Sequence, residues 1–321
     1  MKIFCHRRVT FYLETKQCFL HKVTTSQHLN ISTSQHLNIS TIQHLNYLTS
    51  QHLNYSTSQL FNISTSQLFN IMGYLCTMKK VAEVLNEELQ DKPAAEVLGF
   101  FTRQYPGKVV LGSSLGAEDQ VLIDLMSKYC VGFDAFTLDT GRLFPETYDL
   151  LSVTNRKYRN KIKVIFPDRK QVEEMVNSKG INLFYDSVEN RKLCCNIRKV
   201  EPLKNVLQGY QVWVTGLRKD QSLNRFFTKL VEWNETHGIL KVNPLLNWTE
   251  KDVWKYIREN EVPYNQLHDK GFPSIGCQPC TRAVKEGEDF RAGRWWWEPA
   301  EHNECGLHIE NDPSVDNTGA K

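Results

Sequence analysis

Apolar residues recur at helical spacing at Val81, Val84, Leu85 and Leu89, which predicts an amphipathic helix over residues 79–90. Pro93 can open a second helix that runs to Arg103 and ends at Pro106-Gly107. The pattern then changes. Lys108 to Ser114 (KVVLGSS) is a short, β-branched run that leads into a small-residue loop, LGAED, and a new helical pattern, QVLIDLMSKY. The same succession recurs downstream. Phe133 to Leu138 predicts a strand, and DTGRLFPE a loop with Pro145 opening the next helix. Lys161 to Phe166 predicts another strand, Arg169 to Ser178 a helix stopped near Gly180, and Gln211 to Thr215 (QVWVT) a strand before GLRKDQSLNR. Strands alternating with helices predict an α/β fold, a mostly parallel sheet flanked by helices on both faces.

In such sheets ligands bind beyond the carboxyl ends of the strands. Three loops fall at that edge: GSSLGAED, LDTGRLFPET and TGLRKDQSLNR. A strand–loop–helix unit aims backbone N–H groups and a helix N-terminus at whatever sits above it, which suits phosphate or sulfate. Glu118 and Asp119 also suit the first turn of a helix for dipole reasons alone. Each loop by itself is weak evidence. Three together, two of them carrying arginine (Arg142; Arg218 and Arg225), predict a nucleotide pocket.

Composition removes several classes. No apolar run reaches the ~18–20 residues of a membrane helix. The net charge of +3 is concentrated at the start: residues 1–23 carry five basic side chains and one acid, residues 24–77 carry none of either sign, and the remainder is about neutral. A nucleic-acid-binding surface is therefore not expected. From Thr25 to Met72 an eight-residue unit occurs six times, beginning TSQHLNIS. Its recurring His28, His36, His44 and His52 could mark a metal tract or a β-solenoid. Near-identity at so short a period fits a disordered tail or a misassigned start better, with Met72 or Met78 as sensible initiators. The expected organisation is a low-complexity segment over 1–77 and one structured domain over 78–321. The nine cysteines are an odd number, and Cys194 and Cys195 are adjacent, so thiols kept reduced in a cytoplasm are expected rather than a disulfide scaffold.

Chemistry concentrates near the end of the chain, in IGCQPCTRAVKEGEDFRAGRWWWEPAEHNECGLH (residues 275–308). Cys277 and Cys280 form a Cys-x-x-Cys pair, Arg291 and Arg294 suggest an anion, and the solitary Cys305 suggests a mobile nucleophile. The Trp295–Trp297 triplet suits packing of the tail's root better than ligand stacking. With Cys194 and Cys195, four thiols are available. An iron–sulfur cluster, a structural zinc, or packing and redox cysteines would each use them; adjacent cysteines are awkward for tetrahedral zinc.

Taken in order, SSLGAEDQVL, LDTGRLFPETY, CCNIRKVEPL, TGLRKDQS, CQPCTRAV, GEDFRAGRWWWE and ECGLH resemble the assimilatory adenylylsulfate (APS) reductases, the iron–sulfur branch of a family whose other branch acts on 3′-phospho-APS (PAPS). The resemblance covers about Met78 to His308. It implies an adenine nucleotide α-hydrolase-like fold with a mobile C-terminal segment, about 298–321, that carries the catalytic cysteine. It implies reduction of adenylylsulfate to sulfite and AMP by thioredoxin or glutaredoxin, within cysteine biosynthesis, by a homo-oligomer. It implies one [4Fe–4S] cluster per chain on Cys194, Cys195, Cys277 and Cys280, and Cys305 as nucleophile. Ser113, Ser114, Gly116, Glu118 and Asp119 match the loop under the nucleotide, and Leu138, Thr140, Gly141 and Arg142 its adenosine side. Gly216 and Arg218 fall in the family's TGxR loop, and Lys199, Arg291, Arg294 and His308 match residues around the phosphosulfate. Leu115 stands where many members have Phe, and Asp220 where many have Glu. A PAPS-preferring or dual reductase, an adenylating enzyme on the same fold, and a non-catalytic iron–sulfur nucleotide sensor are the alternatives. The last leaves Cys305 idle. The loop SSLGAED also departs from the SGGxDS pattern of the adenylating enzymes.

Overall fold

The computed structural model describes residues 65–221 and 225–298, with side chains from residue 77. The first five repeat units, Cys305 and His308 lie outside the described residues. Helix α1 (Thr65–Leu89) opens inside the last repeat unit and runs unbroken through Met78. Then follow α2 (Ala94–Gln104), β1 (Val109–Gly112), α3 (Ala117–Tyr129), β2 (Phe133–Leu138), α4 (Pro145–Lys157), β3 (Ile162–Ile165) and α5 (Arg169–Lys179). The second half holds α6 (Val188–Cys195), a π turn (Asn196–Val200) that joins it to α7 (Glu201–Leu207), β4 (Val212–Val214), β5 (Val231–Asn234), β6 (Ile239–Val242) and α8 (Glu250–Glu259).

The six strands lie in the order β3-β2-β1-β4-β6-β5, all parallel except β5, which pairs antiparallel with β6 at the edge. Alternation along each strand separates two cores. Val109 and Leu111, Phe133 and Ala135, and Val212 and Val214 face one side, under α2, α3 and α8. Val110, Phe136 and Trp213 face the other, under Leu203 and Leu207 of α7. Both faces being covered explains why β1 and β4 read as continuous apolar runs. From β1 the chain winds outward through β2 to β3, then returns to lay β4 on β1's other side. That reversal opens a crevice between the β1 and β4 loops, the switch point of a doubly wound sheet.

Helices α6 and α7, the β5–β6 hairpin and α8 had no counterpart in the periodicity. The β5–β6 hairpin hides its alternation because every residue of β6 is buried. Helix α8 has a clear local signal in retrospect, a capping box in which Thr249 and Asp252 exchange hydrogen bonds.

Candidate active site

The crevice between β1 and β4 is a cleft of about 210 Å³. Its floor is the loop after β1, including Ser113, Ser114, Gly116, Glu118 and Asp119. That loop is held by its own side chains. The Ser114 N–H and hydroxyl donate to Asp119 Oδ2 at 2.6 and 2.7 Å, and the Leu115 N–H donates to Ser113 Oγ at 3.1 Å. Leu115 sits at φ 62°, a left-handed conformation uncommon for a residue with a Cβ, and it is buried. Burial pushes the Asp119 carboxyl up to about 6, with the Ser114 hydrogen bonds opposing.

The loop after β4 closes the opposite wall. Gly216 stands so near the first turn of α3 that a Cβ there would lie 2.5 Å from Asp119 Oδ1. Arg218, 2% exposed, does not line the cleft: its Nε donates to Glu118 Oε1 at 2.8 Å, and it also pairs with Asp220. Gln221 Nε2 adds a 2.9 Å bond to the same Glu118 oxygen. Arg218 thus braces the loop under the cleft. Lys199, Arg291 and Arg294 line the remaining side, giving the pocket a cationic wall.

The loop after β2 divides between two sites. Leu138 lines the cleft, whereas Thr140 and Arg142 line a second cavity beside it. Asp139 accepts from the Gly141 N–H at 2.7 Å and the Tyr148 hydroxyl at 2.9 Å, which shapes the turn. The Arg142 guanidinium donates to the Ile181 carbonyl and Asn182 Oδ1 and lies over the Phe184 ring.

The second cavity collects all four predicted cysteines. Cys194 and Cys195 end α6, and the π turn that follows, a rare widening of the helix, carries Arg198 and Lys199. Cys277 precedes and Cys280 ends a single helical turn whose Gln278 N–H is anchored on the Arg142 carbonyl at 2.8 Å. None of the four is in a disulfide. Burial pushes Cys280 up to about 12 and raises Cys194 as well. The lining holds Arg142, Arg191, Arg198, Lys199 and Arg294, and no carboxylate. Thr140 Oγ1 lies 3.2 Å from Cys277 Sγ, and the Thr140 carbonyl accepts from Arg198 Nη1 at 2.6 Å. Among the described residues, no three His, Cys, Asp or Glu side chains stand close enough together to hold a single metal ion. Lys199 and Arg294 line both cavities. Arg294 reaches that position over Gly276, where a Cβ would fall 2.3 Å from its Nη2.

The sequence profile of the phosphoadenosine phosphosulfate reductase domain matches residues 108–283. An adenosine 5′-phosphosulfate reductase of Allochromatium vinosum is 47% identical over 219 residues, 68% of this chain and 85% of its own. One from Neisseria meningitidis serogroup B is 51% identical over 197 residues, 61% and 80% of the two chains. The phosphoadenylyl-sulfate reductase of Candida auris, solved as a phosphate complex, superposes with a TM-score of 0.55 at 32% identity, over 63% of this chain and 96% of its own. The chain belongs to the APS/PAPS reductase family. The family's fold is the one found here, with the cleft at the switch point of its sheet.

Several residues of the two cavities were not predicted from the sequence. His268 lines the cleft with Nε2 buried and unpartnered among the described residues, and burial lowers its pKa. It stands alone in LHDKGF, where nothing in the spacing marks it. Trp213, a core residue of β4, also reaches the cleft. Arg191, three residues before Cys194, lines the cysteine cavity; its signal was helical spacing from the cysteine pair. No described helix is long and apolar enough to cross a membrane.

Proposed function

We propose that this member of the family reduces adenylylsulfate to sulfite and AMP through Cys305, with an external dithiol of the thioredoxin or glutaredoxin kind as reductant. The observation that carries the reading is the shared cationic wall: Lys199 and Arg294 border both a nucleotide-sized cleft and a four-thiol cavity, with Arg291 beside them. Relatives at 47% and 51% identity are named for adenosine 5′-phosphosulfate, whereas the structural relative named for the phosphoadenylyl form stands at 32%. The adenylyl form is therefore the preferred substrate in this reading.

In the first step the Cys305 thiolate attacks the sulfuryl sulfur. The S–O bond to the phosphate breaks, AMP leaves with the bridging oxygen, and Cys305 becomes an S-sulfocysteine. An anion meets an anion here, so Arg291, Arg294 and Lys199 lower the barrier by sharing the charge that builds on the phosphate and sulfonate oxygens. The same cations favour the thiolate of an approaching thiol. In the second step a thiolate of the reductant attacks Cys305 Sγ and releases sulfite. The reductant's second thiol then resolves the mixed disulfide, so the two electrons come from the dithiol. Cys305 has to meet substrate and then partner in turn, which suits a mobile tail over about 298–321, with His308 beside the phosphosulfate.

Four thiols, one buried and three half-buried, in a lining with five cationic side chains fit a group that brings net negative charge and one iron per sulfur. A [4Fe–4S] cluster held by Cys194, Cys195, Cys277 and Cys280 would supply that charge at the edge of the cleft without a redox change in the reaction. Cytoplasmic residence and a homo-oligomeric state belong to the same reading.

The test is sulfite release by anaerobically purified protein with thioredoxin and either APS or PAPS. APS should turn over and Cys305→Ser should abolish sulfite while retaining nucleotide binding. Turnover of PAPS alone would reassign the substrate, and activity surviving in Cys305→Ser would remove the mechanism.

A further inference from the structure

Arg191 and Glu298 make a bidentate ion pair, Nε to Oε1 at 2.9 Å and Nη2 to Oε2 at 2.7 Å, with both side chains almost fully buried at 4% and 3% exposed. A buried pair of this geometry is costly to desolvate, so its presence between a helix and an irregular segment of chain asks for a reason. Its location supplies one. Arg191 lies on α6 one turn before Cys194, and Cys195 is within electrostatic and hydrogen-bonding reach of its guanidinium. Glu298 is the last described residue before the segment that carries Cys305. Between them sits Trp295, 1% exposed at φ 45°, with the Arg191 guanidinium 4.8 Å and the Arg294 guanidinium 4.7 Å from its ring. The Glu298 N–H closes back on the Trp295 carbonyl at 2.8 Å. Trp297 packs on Tyr185 at 4.5 Å, whose hydroxyl donates to the Pro279 carbonyl inside the Cys-x-x-Cys turn.

We propose that Arg191 and Glu298 form a positioning clamp that fixes the root of the tail to the cysteine-bearing helix and so sets where Cys305 meets substrate. The inference rests on the reading of Cys305 as nucleophile. Neither residue lines the nucleotide cleft. Both act through the tail: the clamp holds the pivot, while Arg294, stacked on the same tryptophan, holds the reacting group. A misplaced pivot lowers the rate of sulfur transfer and leaves nucleotide affinity unchanged.

The experiment measures AMP release in a single turnover without reductant, alongside APS affinity and iron per chain, on the full-length holoprotein. Glu298→Gln keeps the shape and one acceptor but removes the charge. It should slow AMP release on the order of tenfold to a hundredfold, as expected for misplacement of a reacting group, with dissociation constant and iron content within twofold of wild type. Glu298→Asp should recover part of the rate, and Arg191→Gln combined with Glu298→Gln should be no slower than either alone. An unchanged rate in Glu298→Gln, a loss proportional to lost iron, or additive effects in the double variant would overturn the clamp. Wild-type and Cys305→Ser controls that release AMP equally would instead sink the reading of Cys305 and leave the clamp without an object.

Discussion

The nucleotide cleft and the cysteine cavity share two walls, Lys199 and Arg294, and are balanced in opposite ways. In the cleft the protein supplies partners for its own acids. Glu118 is held by Arg218 and Gln221, and Asp119 by two donors of Ser114. In the cysteine cavity five cationic side chains and four thiols share the lining, Arg191 being paired with Glu298, and burial raises the pKa of Cys280 and Cys194. The acids of the cleft are satisfied by the protein's own donors, whereas the lining of the cavity is cationic, with Arg191 paired to Glu298. A predominantly cationic lining around four thiols is where the proposed cluster, an anionic group, would fit.

The strongest way to break this contrast is to remove one thiol. Cys280→Ser should lose bound iron and reduce sulfite release by about two orders of magnitude, the scale of losing preorganised charge at a reacting group. APS affinity should stay within a few-fold, because the cleft's carboxylate partners are untouched. Iron and acid-labile sulfide assays with equilibrium binding check this. Equal loss of binding would mean that the two cavities are one site.

A pair of glycines sharpens it further. In Gly276→Ala the new Cβ meets the Arg294 guanidinium at 2.3–2.5 Å, which must swing away from both cavities. The turnover number should fall about tenfold to a hundredfold with little change in nucleotide affinity. In Gly216→Ala the Cβ meets Asp119 Oδ1 at 2.5 Å and the Glu118 Cβ at 2.9 Å, inside the floor of the cleft. Here nucleotide affinity should fall about tenfold, with overpacking costing about 1–3 kcal/mol of stability and iron content unchanged. Steady-state kinetics and calorimetric binding on the two variants separate the effects. The same phenotype from both would show that Arg294 and Asp119 serve a single function.

The two regions also differed in how far the sequence disclosed them. The cleft is built from short β–loop–α units, so periodicity and small-residue loops place Ser113 to Asp119 and Gly216 at one edge before any geometry is known. The cysteine cavity joins residues about eighty positions apart. Only donor chemistry and the family resemblance suggested that Cys194–Cys195 and Cys277–Cys280 would meet, and no local pattern marked the π turn that carries Lys199. Side-chain direction was the least legible feature. Arg218 reads as a pocket arginine in TGLRKDQS, yet it is spent on Glu118 and Asp220. Arg142 reads the same way in DTGRLF, yet it lies over Phe184 at the cysteine cavity. Such choices depend on which acid or carbonyl the fold brings near, and that information is not local.

The smallest expected effect tests the floor of the cleft on its own. Burial raises Asp119 from its ordinary value of 3.8 to about 6, so between those values the folded protein holds a proton that the unfolded chain has released. Its contribution to stability is therefore present below about pH 4 and lost as the pH rises through 6, at ~1 kcal/mol per pH unit. Asp119→Asn has no such proton. Relative to wild type, its unfolding free energy in urea should climb between pH 4 and 6 and level off above 7, while other carboxylates cancel in the comparison. A flat difference would mean that Asp119 ionises as an exposed acid does, with Ser114 fully offsetting its burial. A climb would mean that the cleft keeps a buried carboxylate at a cost to folding. Glu118, paired with Arg218, would then be the acid the fold has balanced, and Asp119 the one whose burial the β1 loop tolerates to hold Ser114 under the nucleotide.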